Sequence, residues 1–229
     1  MMIDSIKPTN GNVPITSPVY KNKLLRFLAW VVSCIFHPLF IPLYVTYYIA
    51  FIHPRYFSGF NTAQRLLKVI SVGINMVVYP IIAVLLLKAV GFIDSILLKT
   101  QKDRVIPYIA CGIFFFWMYL VFRNQPEVPS VLTTFTFAVF LSSSVALIAN
   151  IYYKISMHAI GCGGLIGFMF VLLYSDTSSQ VAIPLMISIL IFGVVCTSRL
   201  LLGDHTQKEI YLGLFLGICC QVSAAAMLL

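Results

Sequence analysis

Seven stretches of this chain stay apolar for longer than a soluble helix requires: residues 24–52, 66–90, 105–122, 131–153, 156–174, 181–202 and 210–229. A hydrocarbon core about 30 Å thick is crossed by about 20 residues of α-helix, which satisfies its own backbone donors and acceptors where there is no water. The pattern predicts an all-α fold, a polytopic transmembrane helical bundle of six to seven spans. Charged residues make up 10% of the chain, against about a quarter in a soluble domain, too few to cover a water-facing surface. The polar connections are short, so one membrane domain is expected over 24–229. Ahead of it, residues 1–23 carry Pro8, Gly11, Pro14 and Pro18 among Ser, Thr and Asn, a composition expected to remain a flexible tail. The first run exceeds a secretory apolar region of about 7 to 15 residues and no small-residue cleavage site follows it, so a retained span is expected.

The same residues argue against several functions. Cys34, Cys111, Cys162, Cys196, Cys219 and Cys220 all fall in apolar runs, without CxxC pairs or a histidine at ligand spacing. They read as small buried hydrophobes, and neither a metal nor a cofactor is expected. The net charge of +8 does not point to nucleic acid, because the basic residues sit at the ends of runs, where they meet anionic headgroups or set topology. No inverted repeat and no charge deep within a run supports a solute transporter. Pro38, Pro42, Pro80, Pro107 and Pro184 predict kinks, with Pro107 in the first turn of the third helix. Gly163 with Gly167, and Gly213 with Gly217, place small residues one turn apart for close helix contact. His37 reads as a buried partner of a kinked backbone, His53 as an interfacial residue, and Asn75 and Asn150 as interhelical hydrogen bonders.

The connections are unequal. Those after the second, fourth and sixth runs hold Lys99, Lys102, Asp103 and Arg104, then Lys154, Ser156 and His158, then Ser198, Arg199, Asp204, His205, Lys208 and Glu209. If each run crosses once, these three lie on one membrane face together with the N-terminus. Counting basic residues by side favours that face as cytoplasmic, but lysines in a functional pocket distort such a count, and the sequence leaves both orientations open.

Each polar segment has two readings. Glu209 follows His205 by one helical turn, so its carboxylate is placed to orient the imidazole; Thr206-x-x-Glu209 also fits a capping box. Ser156 is a plausible N-cap, at a helix start that offers free N–H groups to an anion with His158 beside it, or simply a cap next to a packed histidine. Lys99, Lys102 and Arg104 form either an ordinary basic loop or part of an anion pocket, and Arg199 either snorkels at a span end or presents its planar fork to phosphate. Taken together, the cations and the two histidines describe a pocket for a phosphate with a nucleophile and an acid.

These residues resemble the type 2 phosphatidic acid phosphatase superfamily of membrane lipid phosphatases. Its third motif, Ser-Arg, five residues, His, three residues, Asp, is matched by Ser198, Arg199 and His205, with Glu209 in place of Asp. Its second, Pro-Ser-Gly-His, keeps Ser156 and His158 but has Ile155 and Met157 at the other positions. Its first, Lys, six residues, Arg-Pro, is represented by Arg104, with Pro107 beyond it, Leu97 in the lysine's place, and Lys99 or Lys102 as substitutes. The resemblance covers residues 99 to 217 and implies a superfamily-like core in the bacterial inner membrane. The implied activity is metal-independent hydrolysis of a phosphomonoester or diphosphate of a lipid: polyprenyl diphosphate, phosphatidylglycerol phosphate or phosphatidic acid. By family role His205 would attack phosphorus, Glu209 would orient it and His158 would protonate the leaving oxygen; Arg104, Arg199, Ser156 and Lys99 or Lys102 would hold the phosphate. The expected partners are the phosphorylated lipid and the surrounding membrane. Alternatives are a non-catalytic protein that binds or moves phosphorylated lipids, and a lipid phosphotransferase.

Overall fold

The structure, a computed structural model, describes residues 22–98, 100–175 and 181–229. The described residues are helical with no strand, and seven segments are long and apolar enough to cross a membrane. This is a multi-pass integral membrane protein. The first segment, Lys23–Ile52, comprises α1 (Lys23–Ile35), a 3₁₀ turn at Pro38–Phe40, α2 (Ile41–Tyr47) and a π turn at Tyr48–Ile52. The second, Thr62–Ala89, comprises α3 (Thr62–Gly73), a π turn at Ile74–Val78 and α4 (Tyr79–Ala89). The others are α5 (Gln101–Arg123), α6 (Ser130–Ala149), α7 (Met157–Ser175), α8 (Ala182–Leu202) and α9 (Gln207–Leu228). Residues 1–21 of the expected tail, and Lys99, lie outside the described residues.

Local chemistry explains the boundaries. Asn61 accepts from Gln64 N at 2.9 Å while Gln64 Oε1 accepts from Asn61 N at 2.9 Å, a capping box that starts α3. Pro80 lacks an N–H and crowds the carbonyl one turn back, so the helix widens to a π turn just before it. Thr100 Oγ1 accepts from Asp103 N at 3.1 Å and starts α5 at Gln101, ahead of the apolar run. Pro107 is consequently inside the helix and not in its first turn.

At the centre, α7 packs against α9 along the paired glycines. A Cβ on Gly163 would stand 2.2 Å from Leu214 O, and one on Gly217 would stand 2.2 Å from Ile160 O, so backbone meets backbone. Larger side chains fill the flanks, as where the Phe135 and Phe168 rings meet with centroids 5.0 Å apart. Outward-facing Leu85, Ile113, Trp117, Met186 and Leu190 are exposed, as suits helices solvated by lipid.

Lipid solvation also corrects the cysteine expectation. All six are free, but only Cys162 and Cys220 are buried, while Cys34 and Cys219 are exposed; hydrocarbon accepts a thiol without protein around it. Asn150 does bridge helices: its Nδ2 donates to Gln101 O at 2.8 Å, and Gln101 Nε2 donates to Asn150 O at 2.9 Å. Asn75 instead donates to Ser71 O at 2.9 Å within its own segment, because a short amide reaches its own preceding turn most easily. His53 directly follows the first segment, Lys23–Ile52, and is buried there.

The bundle has two distinct ends. At one, Lys68 meets Gln125 and Glu127, tying α3 to the connection between α5 and α6. At the other, the starts of α5, α7 and α9 converge, so the three richer connections do share a face. The middle of the first segment also lies at that end, where His37 packs on His158. Parity therefore holds for the three connections, while the N-terminus lies outside the described residues.

Candidate phosphate site

Four pieces of chain assemble this end, each brought in by backbone hydrogen bonding. On the first turn of α5, the buried Arg104 donates from Nε to Leu98 O at 2.8 Å and from Nη1 to Ile155 O at 2.9 Å. Leu98 holds φ 48°, a left-handed conformation that costs a residue with a Cβ about 1 to 2 kcal/mol. Ser156 starts α7 as the expected cap: its Oγ accepts from Ala159 N at 3.4 Å, and its N–H donates to Glu209 O at 3.3 Å. The α7 start is thereby fastened to α9.

The third piece ends α8. Gly203, at φ 74°, adopts the left-handed turn that terminates the helix. Beyond it Asp204 Oδ2 accepts from Arg199 Nη2 at 2.7 Å, and Asp204 O accepts from Lys154 Nζ at 3.3 Å. Arg199 Nε is buried without a hydrogen-bond partner, leaving an unmet donor at a cationic site. Burial comes first in lowering the Lys154 pKa; the nearby Arg104 adds to it, while Glu209 and Asp204 oppose.

His205 follows directly. Its Nδ1 lies 2.9 Å from Glu209 Oε2, and since a carboxylate only accepts, Nδ1 carries the hydrogen and Nε2 keeps a lone pair. The same Oε2 accepts from Thr206 N at 3.2 Å, while Thr206 Oγ1 accepts from Glu209 N at 3.4 Å. The capping box and the histidine–carboxylate pair, opposed as readings of the sequence, are one arrangement. The His205 side chain is 2% exposed. Burial first, then Arg104, Arg199 and Lys154, push its pKa down to about 3, against a smaller opposing effect of the Lys154 backbone carbonyl. The ring is therefore neutral at pH 7.

The fourth piece, the first segment, is absent from the sequence-derived site. His158 Nε2 lies 3.0 Å from Ser33 O, and its ring meets His37 edge to face, with centroids 5.2 Å apart. Lys154 and Asp204 are also additions. Lys154 signals itself by preceding the Ser156 cap, whereas His37 signals itself only as a histidine before proline within an apolar run. Lys102 is exposed on the first turn of α5, beside Asp103.

Together these groups make a cationic patch of the buried Arg104 and the half-buried Lys154 and Arg199, partly balanced by Asp204 and Glu209, beside the buried imidazoles of His158 and His205. A fixed cluster of this kind favours an anion, and a lone-pair nitrogen within it can act as a nucleophile. Comparison with known proteins finds no family model, curated protein or solved structure that matches the chain.

Proposed function

We propose that the protein is a lipid phosphatase that transfers the phosphoryl group of a membrane lipid to His205 and then to water. The observation that carries this reading is the 2.9 Å His205–Glu209 pair set among the cations Arg104, Lys154 and Arg199. A phosphate seated there would meet His205 Nε2 and the free Nε of Arg199. Attack by Nε2 forms the nitrogen–phosphorus bond as the phosphorus–oxygen bond to the lipid breaks. Glu209 stabilises the positive charge that develops on the ring, and His158, which takes up the proton of the bound phosphate's hydroxyl on its lone-pair nitrogen, passes that proton to the leaving oxygen. Water then attacks the phosphohistidine, giving up a proton to His158 and releasing phosphate. The cations stabilise charge on the transferring group, and the substrate arrives from the bilayer of a bacterial inner membrane.

The test is phosphate release by purified protein from polyprenyl diphosphate, phosphatidylglycerol phosphate and phosphatidic acid, with excess chelator. His205→Ala is expected to lose essentially all activity; full activity in that variant refutes the mechanism. A second reading, binding or moving a phosphorylated lipid without chemistry, draws on the engagement of Arg104 Nε and Nη1 with backbone carbonyls. It predicts unchanged lipid binding in His205→Ala and no phosphohistidine in the wild type.

A further inference from the structure

The break in the first segment has a cause that can be followed atom by atom. Pro38 has no N–H and forces the residue before it out of the helical region, and His37 accordingly sits at φ −63°, ψ 136°. The helix therefore stops at Ile35, and His37 N turns to Cys34 O at 3.4 Å rather than to the carbonyl one turn back, that of Ser33. A buried carbonyl freed in this way needs a donor. Ser33 is 5% exposed, and the donor that reaches its carbonyl is His158 Nε2 at 3.0 Å. Because a carbonyl only accepts, the hydrogen of neutral His158 must lie on Nε2, which leaves Nδ1 bare.

Two further contacts hold the break in place. Pro38 fits against Gly161, three residues along α7 from His158, where a Cβ would come within 3.1 Å of Pro38 Cβ and 2.7 Å of Ile41 Cδ1. The His37 ring packs on the His158 ring, while its own Nδ1 accepts from Leu39 N at 3.3 Å and caps the 3₁₀ turn. Arg199, on α8, is the cation close enough to act on both rings, and His205 faces His158 from the α8–α9 connection.

We infer that the His37–Pro38 break, docked on Gly161, is a positioning element that fixes the tautomer of His158, so that His158 exchanges protons with substrate through Nδ1. The use of that nitrogen in phosphoryl transfer rests on the function proposed above; the tautomer does not. Pro38 and Gly161 are thus positioning residues that act through His158. Gly161→Ala would push the break off α7 and lengthen the Nε2 contact. Pro38→Ala would let His37 N return to Ser33 O and take the acceptor away from His158.

The experiment is nitrogen NMR of protein labelled at its 4 histidines, in micelles, assigned by single substitutions and paired with phosphate-release kinetics. The wild type should show His158 as a single Nε2–H tautomer with a bare Nδ1. In Gly161→Ala and Pro38→Ala the signal should move toward a mixture. The rate kcat should fall by about tenfold to a hundredfold, within what general acid–base catalysis supplies, with a smaller change in KM. A wild-type hydrogen on Nδ1, or an unchanged tautomer in a folded variant of either kind, overturns the inference. If one variant fails to fold, the other decides. The expected tautomers with no phosphate released by the wild type from any lipid would uphold the positioning element and refute the phosphatase.

Discussion

The two histidines of the candidate site are held by opposite strategies. His205 takes its partner from its own stretch of chain, Glu209, four positions on. His158 takes its partner from Ser33, 125 positions away. The first arrangement follows from helical periodicity: any helix begun at Gln207 with Thr206 as its cap brings position 209 back toward 205. The second exists only after a proline has broken one helix and a glycine on another has made room for the break. Local pairing fixes the orientation of His205, the proposed nucleophile, whereas that of His158, the proposed proton donor, depends on the whole bundle being closed.

The glycine seam between α7 and α9 is what both histidines share, and disrupting it is expected to have the largest effect. A Cβ on Gly217 would meet Ile160 O at 2.2 Å and Gly164 N at 2.7 Å, both backbone atoms that cannot move aside. Gly217→Ala should destabilise the protein by about 3 kcal/mol or more, read as a lowered unfolding midpoint in detergent. Gly193→Ala on α8 is the control: nothing lies within 4 Å of its Cβ, and removing a helical glycine there should be neutral or stabilising. Similar losses in both variants would show that helix flexibility, and not close approach, matters at the seam.

Legibility in the sequence divides along the same line. The seven spans, the seam glycines, the Ser156 cap and the convergence of three connections rest on composition, periodicity and parity, all local quantities. The His205–Glu209 pair is legible for the same reason, although periodicity alone left it in competition with a cap that turns out to use the same oxygen. What could not be read is long-range. The spacing of His37 to His158 carries no pattern, and parity gives no sign that a proline break brings the middle of the first run to the site. The exposure of Cys34 and Cys219 depends on which side of a helix meets lipid, which near-uniform apolar runs do not encode.

Acid should separate the two regions next. The His205 pKa is lowered from 6.5 to about 3, so the folded protein resists protonation that the unfolded chain accepts. The stability tied to the neutral ring is fully present above about pH 6.5 and is lost as pH falls from there toward about 3. Lys154 is among the cations that lower this pKa. Lys154→Gln should raise it, so that the unfolding midpoint drops less between about pH 7.5 and about pH 4.5 than in the wild type. An identical drop in both proteins would remove Lys154 from the electrostatics of the site.

The smallest expected effect concerns the lysine that the family resemblance offers and the structure does not bring in. Lys102 is exposed, and the charge of a solvated side chain is weakened by water and screened by salt. Lys154 donates to Asp204 O from inside the cluster and loses part of its hydration there. If Lys154 holds a phosphate oxygen, Lys154→Ala should raise KM for phosphate release by about tenfold, the scale of one charge-assisted hydrogen bond, while Lys102→Ala stays within about twofold. The reverse order would mean that substrate draws the start of α5 over the site, and that Lys102 approaches the phosphate only in the loaded protein.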